Sequence, residues 1–76
     1  MSKIIKRGAI EYYRLESVES YIDVVNGLIY PIFEDGNIDW DFEISLFNEE
    51  VSEDWYENLS KEDLEIVNKS LKNKIV

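Results

Sequence analysis

The chain has 76 residues, of which 45% are hydrophobic, 13% aromatic and 33% charged; that length allows one small domain, burying only about 60% of the surface its unfolded form exposes, and the apolar share sets it apart from disordered chains. It contains no cysteine and no histidine, which excludes a disulfide framework, thiolate chemistry, a usual zinc site and a Ser–His dyad. Its formal charge of −9 opposes contact with nucleic acid or an anionic membrane surface, and favours basic proteins as partners.

Lys3, Lys6 and Arg7 open the chain, but Glu11 and Arg14 interrupt any apolar run behind them, so no secretory leader is expected. No stretch nears the roughly 20 apolar residues of a membrane span, and a cytoplasmic location is expected. Residues 9–15 read as a strand, with a helix as the alternative. Asn26-Gly27 lies between Tyr21–Val25 and Leu28–Phe33, two β-branched and aromatic runs; this predicts a hairpin closed by a type I′ turn. Pro31 cannot donate to a ladder, so its strand is an edge there, or bulged. A second turn at Glu34-Asp35-Gly36-Asn37 leads into strict alternation, with Ile38, Trp40, Phe42 and Ile44 against Asp39, Asp41 and Glu43. Period 2 over seven residues predicts a half-buried antiparallel strand.

The C-terminal third changes period. Ser52 followed by Glu53 and Asp54 predicts a capped short helix carrying Trp55, Tyr56 and Leu59. Ser60-Lys61-Glu62-Asp63 fits a capping box, with Asp in place of the better Glu. Leu64, Val67, Leu71 and Ile75 then form an apolar stripe at helical spacing, and Lys69, Lys72 and Lys74 fall in the last turns, where cations suit the helix dipole. The expected architecture is one α+β domain over residues 1–76. It is a small antiparallel β-meander of three to four strands with a C-terminal helical segment packed on one face. The other face is left to solvent or to a partner.

The charge is segregated. Between Leu15 and Ser60 there are thirteen acids and no Lys or Arg. On a strand, Asp39, Asp41 and Glu43 point the same way at about 6.8 Å spacing. They read either as an ordinary solvated sheet face or as a ladder of carboxylates that imitates phosphates, although phosphates advance about 3.4 Å per residue and wind around the duplex axis. Glu49, Glu50, Glu53, Asp54 and Glu57 form a second cluster, either a solvated helix start or an extension of the same surface. All eight are candidate partner-binding residues. Trp55 and Tyr56 beside them suit a core or, if exposed, an interface anchor, and one of Tyr12 and Tyr13 must face outward on a strand. Asp35, Asn37, Asp39 and Asp41 alternate like the start of a calcium loop, but Trp40 stands where that loop needs Gly and Leu46 where it needs Glu.

Nothing distinguishes a catalytic carboxylate pair, and there is no glycine-rich phosphate loop, so no enzyme, cofactor or metal is expected. In size, acidity and lack of cysteine the chain is similar in type to small phage-encoded inhibitors such as anti-CRISPR and anti-restriction proteins; no motif carries the likeness, so it implies no residue roles. The expected function is a non-enzymatic protein-binding module, most specifically an acidic nucleic-acid mimic that inhibits a nucleic-acid-binding protein through its basic groove, without binding nucleic acid itself. The alternative is a structural subunit or a homo-oligomerising small phage-type protein that pairs through an aromatic sheet face or the Pro31 edge.

Overall fold

The computed structural model describes residues 4–73. Five strands form one antiparallel sheet in chain order: β1 (Ile4–Arg7), β2 (Ile10–Leu15), β3 (Ser20–Asp23), β4 (Leu28–Pro31) and β5 (Ile44–Ser45). Helices α1 (Glu53–Glu57) and α2 (Lys61–Lys72) follow. The α+β meander with a C-terminal helix is present, with five strands rather than three or four. The additional strand is β1, which pairs Ile4 with Tyr13 and Arg7 with Ile10. Gly8 opens its two-residue turn at φ +67, where a side chain would be disfavoured. Residues 10–15 are strand, held by ladders on both sides.

The Asn26-Gly27 hairpin forms, but its loop spans the four residues 24–27 rather than two. The reason is Asp23. Its buried carboxylate accepts hydrogen bonds from the backbone N–H groups of Val25 and Asn26 and from Asn26 Nδ2. This side-chain cap ends β3 two residues early and replaces the type I′ geometry. Gly27 has φ +66, and a Cβ placed there would lie 2.6 Å from the Phe47 ring; both conformation and space require glycine.

Strand alternation sends Leu15, Ile22 and Ile29 to one face, where Leu46 and Val67 complete a fully buried core. Each such side chain contributes roughly 1.5–3 kcal/mol on leaving water. Both helix caps are formed as the sequence predicts, with Ser52 Oγ accepting from Trp55 N and Ser60 Oγ from Asp63 N. The capping box is completed differently. Asp63 is buried and accepts from the backbone N–H and hydroxyl of Ser17, while Ser60 N donates to Ser17 Oγ. A pair that is usually local therefore ties α2 to the turn after β2.

The helix also sits at a different rotation from the expected one. Its buried residues are Asp63, Val67 and Ser70, whereas Leu64 and Leu71 remain 37% and 36% exposed. Ile75 of the expected stripe and Lys74 lie outside the described residues. Ser70 Oγ and Asn73 Nδ2 both donate to the carbonyl of Val24 in the β3–β4 turn. That carbonyl needs donors once it is out of water, and meeting it sets the face that α2 presents.

The largest departure is the expected strand over residues 38–44. Ile38 bridges Ile32, and Asp39 N donates to Pro31 O. Pairing then stops and resumes where Ile44 meets Ile29. Three steps along β4, from Ile29 to Ile32, are matched by six from Ile38 to Ile44, so three extra residues bulge out. An odd insertion exchanges the faces of everything beyond it. Ile38 and Trp40 thus go to the face opposite the core, Ile44 packs on the core, and Phe42 is 57% exposed. The four apolar residues do not share a side, and the three acids do not form a regular ladder.

The bulge covers the second face. Trp40 lies 5.0 Å from Tyr12 and 5.1 Å from Tyr30, ring centre to ring centre, and the Arg7 guanidinium sits 4.2 Å above Trp40. Tyr12 and Tyr30 are buried as a result. This part of the face is not left to solvent or a partner, and the Pro31 edge is already occupied by Asp39.

Candidate functional site

The bulge, Asp39 to Glu43, is pinned at three points. Asp39 is half-buried and its carboxylate accepts from Asp41 N, a local turn that reverses the chain. Trp40 is packed on the tyrosines. Glu43 accepts a 2.6 Å hydrogen bond from the Tyr30 hydroxyl. Burial and then this carboxylate push the Tyr30 hydroxyl pKa well above the usual tyrosine value. Between these anchors, Asp41 and Phe42 project into solvent. The bulge therefore presents an exposed aromatic ring flanked by carboxylates.

The second cluster begins beyond β5. The turn after this strand closes with Glu49 N donating to Leu46 O and Glu50 N to Ser45 O, and Glu49 occupies the left-handed region at φ 58. This is the pattern of a Schellman turn, with Glu49 at the position glycine usually fills. It brings the Glu50 carboxylate back onto β5, where it accepts from Ser45 N at 2.6 Å. Glu50 thus satisfies both main-chain groups of Ser45 on the outer edge of the sheet, and the edge is closed to a further strand there. Glu43 precedes β5 and Glu50 lies along its edge, so the two acidic clusters meet at this strand.

Glu53 and Asp54 occupy the first turn of α1, where the dipole favours them, and Glu57 ends that helix, where it does not. All three are exposed. Trp55 and Tyr56 form an edge-to-face pair at 5.2 Å and pack against the core. Burial, followed by the charge of Glu49, raises the Tyr56 pKa, which places Glu49 near this ring. The exposed anchor among the acids is consequently Phe42 rather than Trp55 or Tyr56. Alternation in the sequence assigned Phe42 to the buried side; only the bulge exposes it.

Asp35 is turned to Asn37, accepting from its backbone N–H and Nδ2 at 3.0 Å each, and Asp39 is turned to Asp41. Among the described residues no three acidic side chains converge on a point that a cation could occupy, and no helix is long and apolar enough to cross a membrane. The arrangement offers charge and one aromatic ring at a sheet edge, the elements by which a protein docks on a basic, partly apolar surface. No family model matches the chain, and no curated protein or solved structure is detectably similar to it.

Proposed function

We propose that the protein is a non-enzymatic binding module whose acidic edge docks on a basic protein surface. In its most specific form it is a nucleic-acid mimic that inhibits a nucleic-acid-binding protein, of the anti-CRISPR or anti-restriction type. One observation carries the reading. Of the thirteen acids between Leu15 and Ser60, all but Asp23 and Asp39 are exposed, and that stretch contains no Lys or Arg. The repulsion this creates works against the compact state, and a basic partner relieves it. Asp41, Glu43, Glu49, Glu50, Glu53, Asp54 and Glu57 supply the charge, with Asp39 setting the path of the bulge and Phe42 as the apolar contact. The bulge does not reproduce a regular phosphate spacing, so the mimicry rests on potential rather than on a matched ladder.

The reversal Asp41→Lys with Glu57→Lys tests this, because neither carboxylate supports the fold. Capture from lysate by the wild-type chain is expected to retain a nucleic-acid-binding protein that is released by high salt and by added DNA or RNA. The double variant should retain none. Capture by the variant with unchanged salt dependence would show that this edge is not the binding surface.

A further inference from the structure

Asn26 is the one asparagine of this chain followed by glycine. Glycine has no Cβ to shield its backbone nitrogen, so that nitrogen can attack the side-chain amide of the residue before it. The β3–β4 turn holds both reacting groups. Gly27 N, the nucleophile, donates to the Asp23 carbonyl oxygen at 2.7 Å. Asn26 Nδ2, the leaving group, donates to Asp23 Oδ2, also at 2.7 Å. Asp23 is buried, so its charge is little screened and opposes the anion that the attack creates. Asn26 itself is exposed, and solvent reaches it as soon as the turn opens.

We propose that Asn26-Gly27 is a site of spontaneous deamidation that Asp23 holds closed in the folded chain and that, once used, keeps the turn from closing again. Gly27 N forms a bond to Asn26 Cγ, the Cγ–Nδ2 bond breaks, and ammonia leaves carrying the proton of Gly27 N; a cyclic imide remains. Water then adds to one of the two imide carbonyl carbons and opens the ring. Cleavage at Cγ gives an aspartyl residue at position 26. Cleavage at the main-chain carbonyl gives an isoaspartyl residue, whose backbone runs through Cβ and Cγ. Neither product fits the native turn. In the first, a carboxylate oxygen replaces the donor that faced Asp23 Oδ2, and two anions meet with no proton between them. The second lengthens the main chain by one carbon where Gly27 lies against the Phe47 ring and its carbonyl accepts from Leu46 N at 2.7 Å. The same turn presents the Val24 carbonyl to Ser70 and Asn73, so its loss also frees α2. Deamidation is thus confined to chains whose turn has opened, and it removes those chains from the native population.

The test uses the full-length wild-type protein at mildly alkaline pH, in buffer and in urea above its unfolding midpoint. Peptide mapping that separates aspartyl from isoaspartyl forms follows deamidation at position 26. The rate in buffer is expected to be at least roughly tenfold below the rate in urea, the factor for one charge-assisted hydrogen bond. Hydrogen exchange of the Gly27 N–H in the same buffer should be slowed to the same order, because one opening exposes both groups. Equal deamidation rates in buffer and in urea overturn the proposal. A slowing that differs from the Gly27 exchange protection by more than an order of magnitude separates the reaction from this turn and overturns it as well. The one-way step is tested with Asn26→Asp against Asn26→Ala, which loses the same donor without adding a charge. Asn26→Asp should have the lower urea midpoint; an equal or higher midpoint overturns the exclusion of the aspartyl product.

Discussion

Replacing Trp40 by alanine tests whether the 39–43 segment is a bulge folded over the second sheet face. Trp40 is half-buried, so its loss should fall at the lower end of the range for deleting a core tryptophan, about 3 kcal/mol. That value includes two aromatic contacts, with Tyr12 and Tyr30, worth roughly 0.5–1.5 kcal/mol each. It also includes the Arg7 contact, worth about 0.5–1 kcal/mol at an exposed site. A chain of this size has a total stability of roughly 4–11 kcal/mol, so the variant should lose a large fraction of it and melt at least about 12 °C lower. The decisive measurement is a pair of double-mutant cycles by urea unfolding. Trp40→Ala combined with Tyr12→Ala should show a coupling of about 1 kcal/mol, since the rings touch. Trp40→Ala combined with Ile44→Ala should be additive within about 0.5 kcal/mol, because the odd insertion puts these residues on opposite faces. Coupling between Trp40 and Ile44, with none between Trp40 and Tyr12, would refute the bulge and restore a continuous strand.

Three further outcomes follow from single residues. Gly27→Ala and Gly8→Ala meet similar backbone angles, but only the first meets the Phe47 ring; unfolding should show a loss of about 2–3 kcal/mol at Gly27 against about 1 kcal/mol at Gly8, and equal losses would mean that the ring yields. Glu49→Gly removes a side chain from the left-handed region and should raise stability by about 1 kcal/mol, whereas Glu49→Ala should not; a loss in the glycine variant would contradict the turn assignment. The raised Tyr30 pKa means that the native state holds a proton which the unfolded chain releases near pH 10. This stabilisation is complete below that pH and is lost as pH rises beyond it. Unfolding free energies measured from pH 8 upward should fall less steeply for Tyr30→Phe than for the wild type, and parallel slopes would remove Tyr30 as the cause.

Elements governed by neighbours in sequence were legible from the residues alone. Ser52 and Ser60 mark both helix starts because a hydroxyl at that position meets a backbone N–H three residues on, whatever the rest of the chain does. Asn26-Gly27 marks a reversal, and the long absence of basic residues shows that the charge is segregated along the chain. What the tertiary structure decided are the features in which a polar group found its partner far along the chain. Asp63 meets Ser17, and Ser70 meets the Val24 carbonyl, so α2 turns a face containing two polar residues inward and leaves Leu64 and Leu71 half out. Period 2 over residues 38–44 predicts a strand that the structure does not form, because alternation cannot report how many residues the partner strand matches. Three unmatched residues carried Trp40 to one side of the sheet and Ile44 to the other, and exposed Phe42 among its acids.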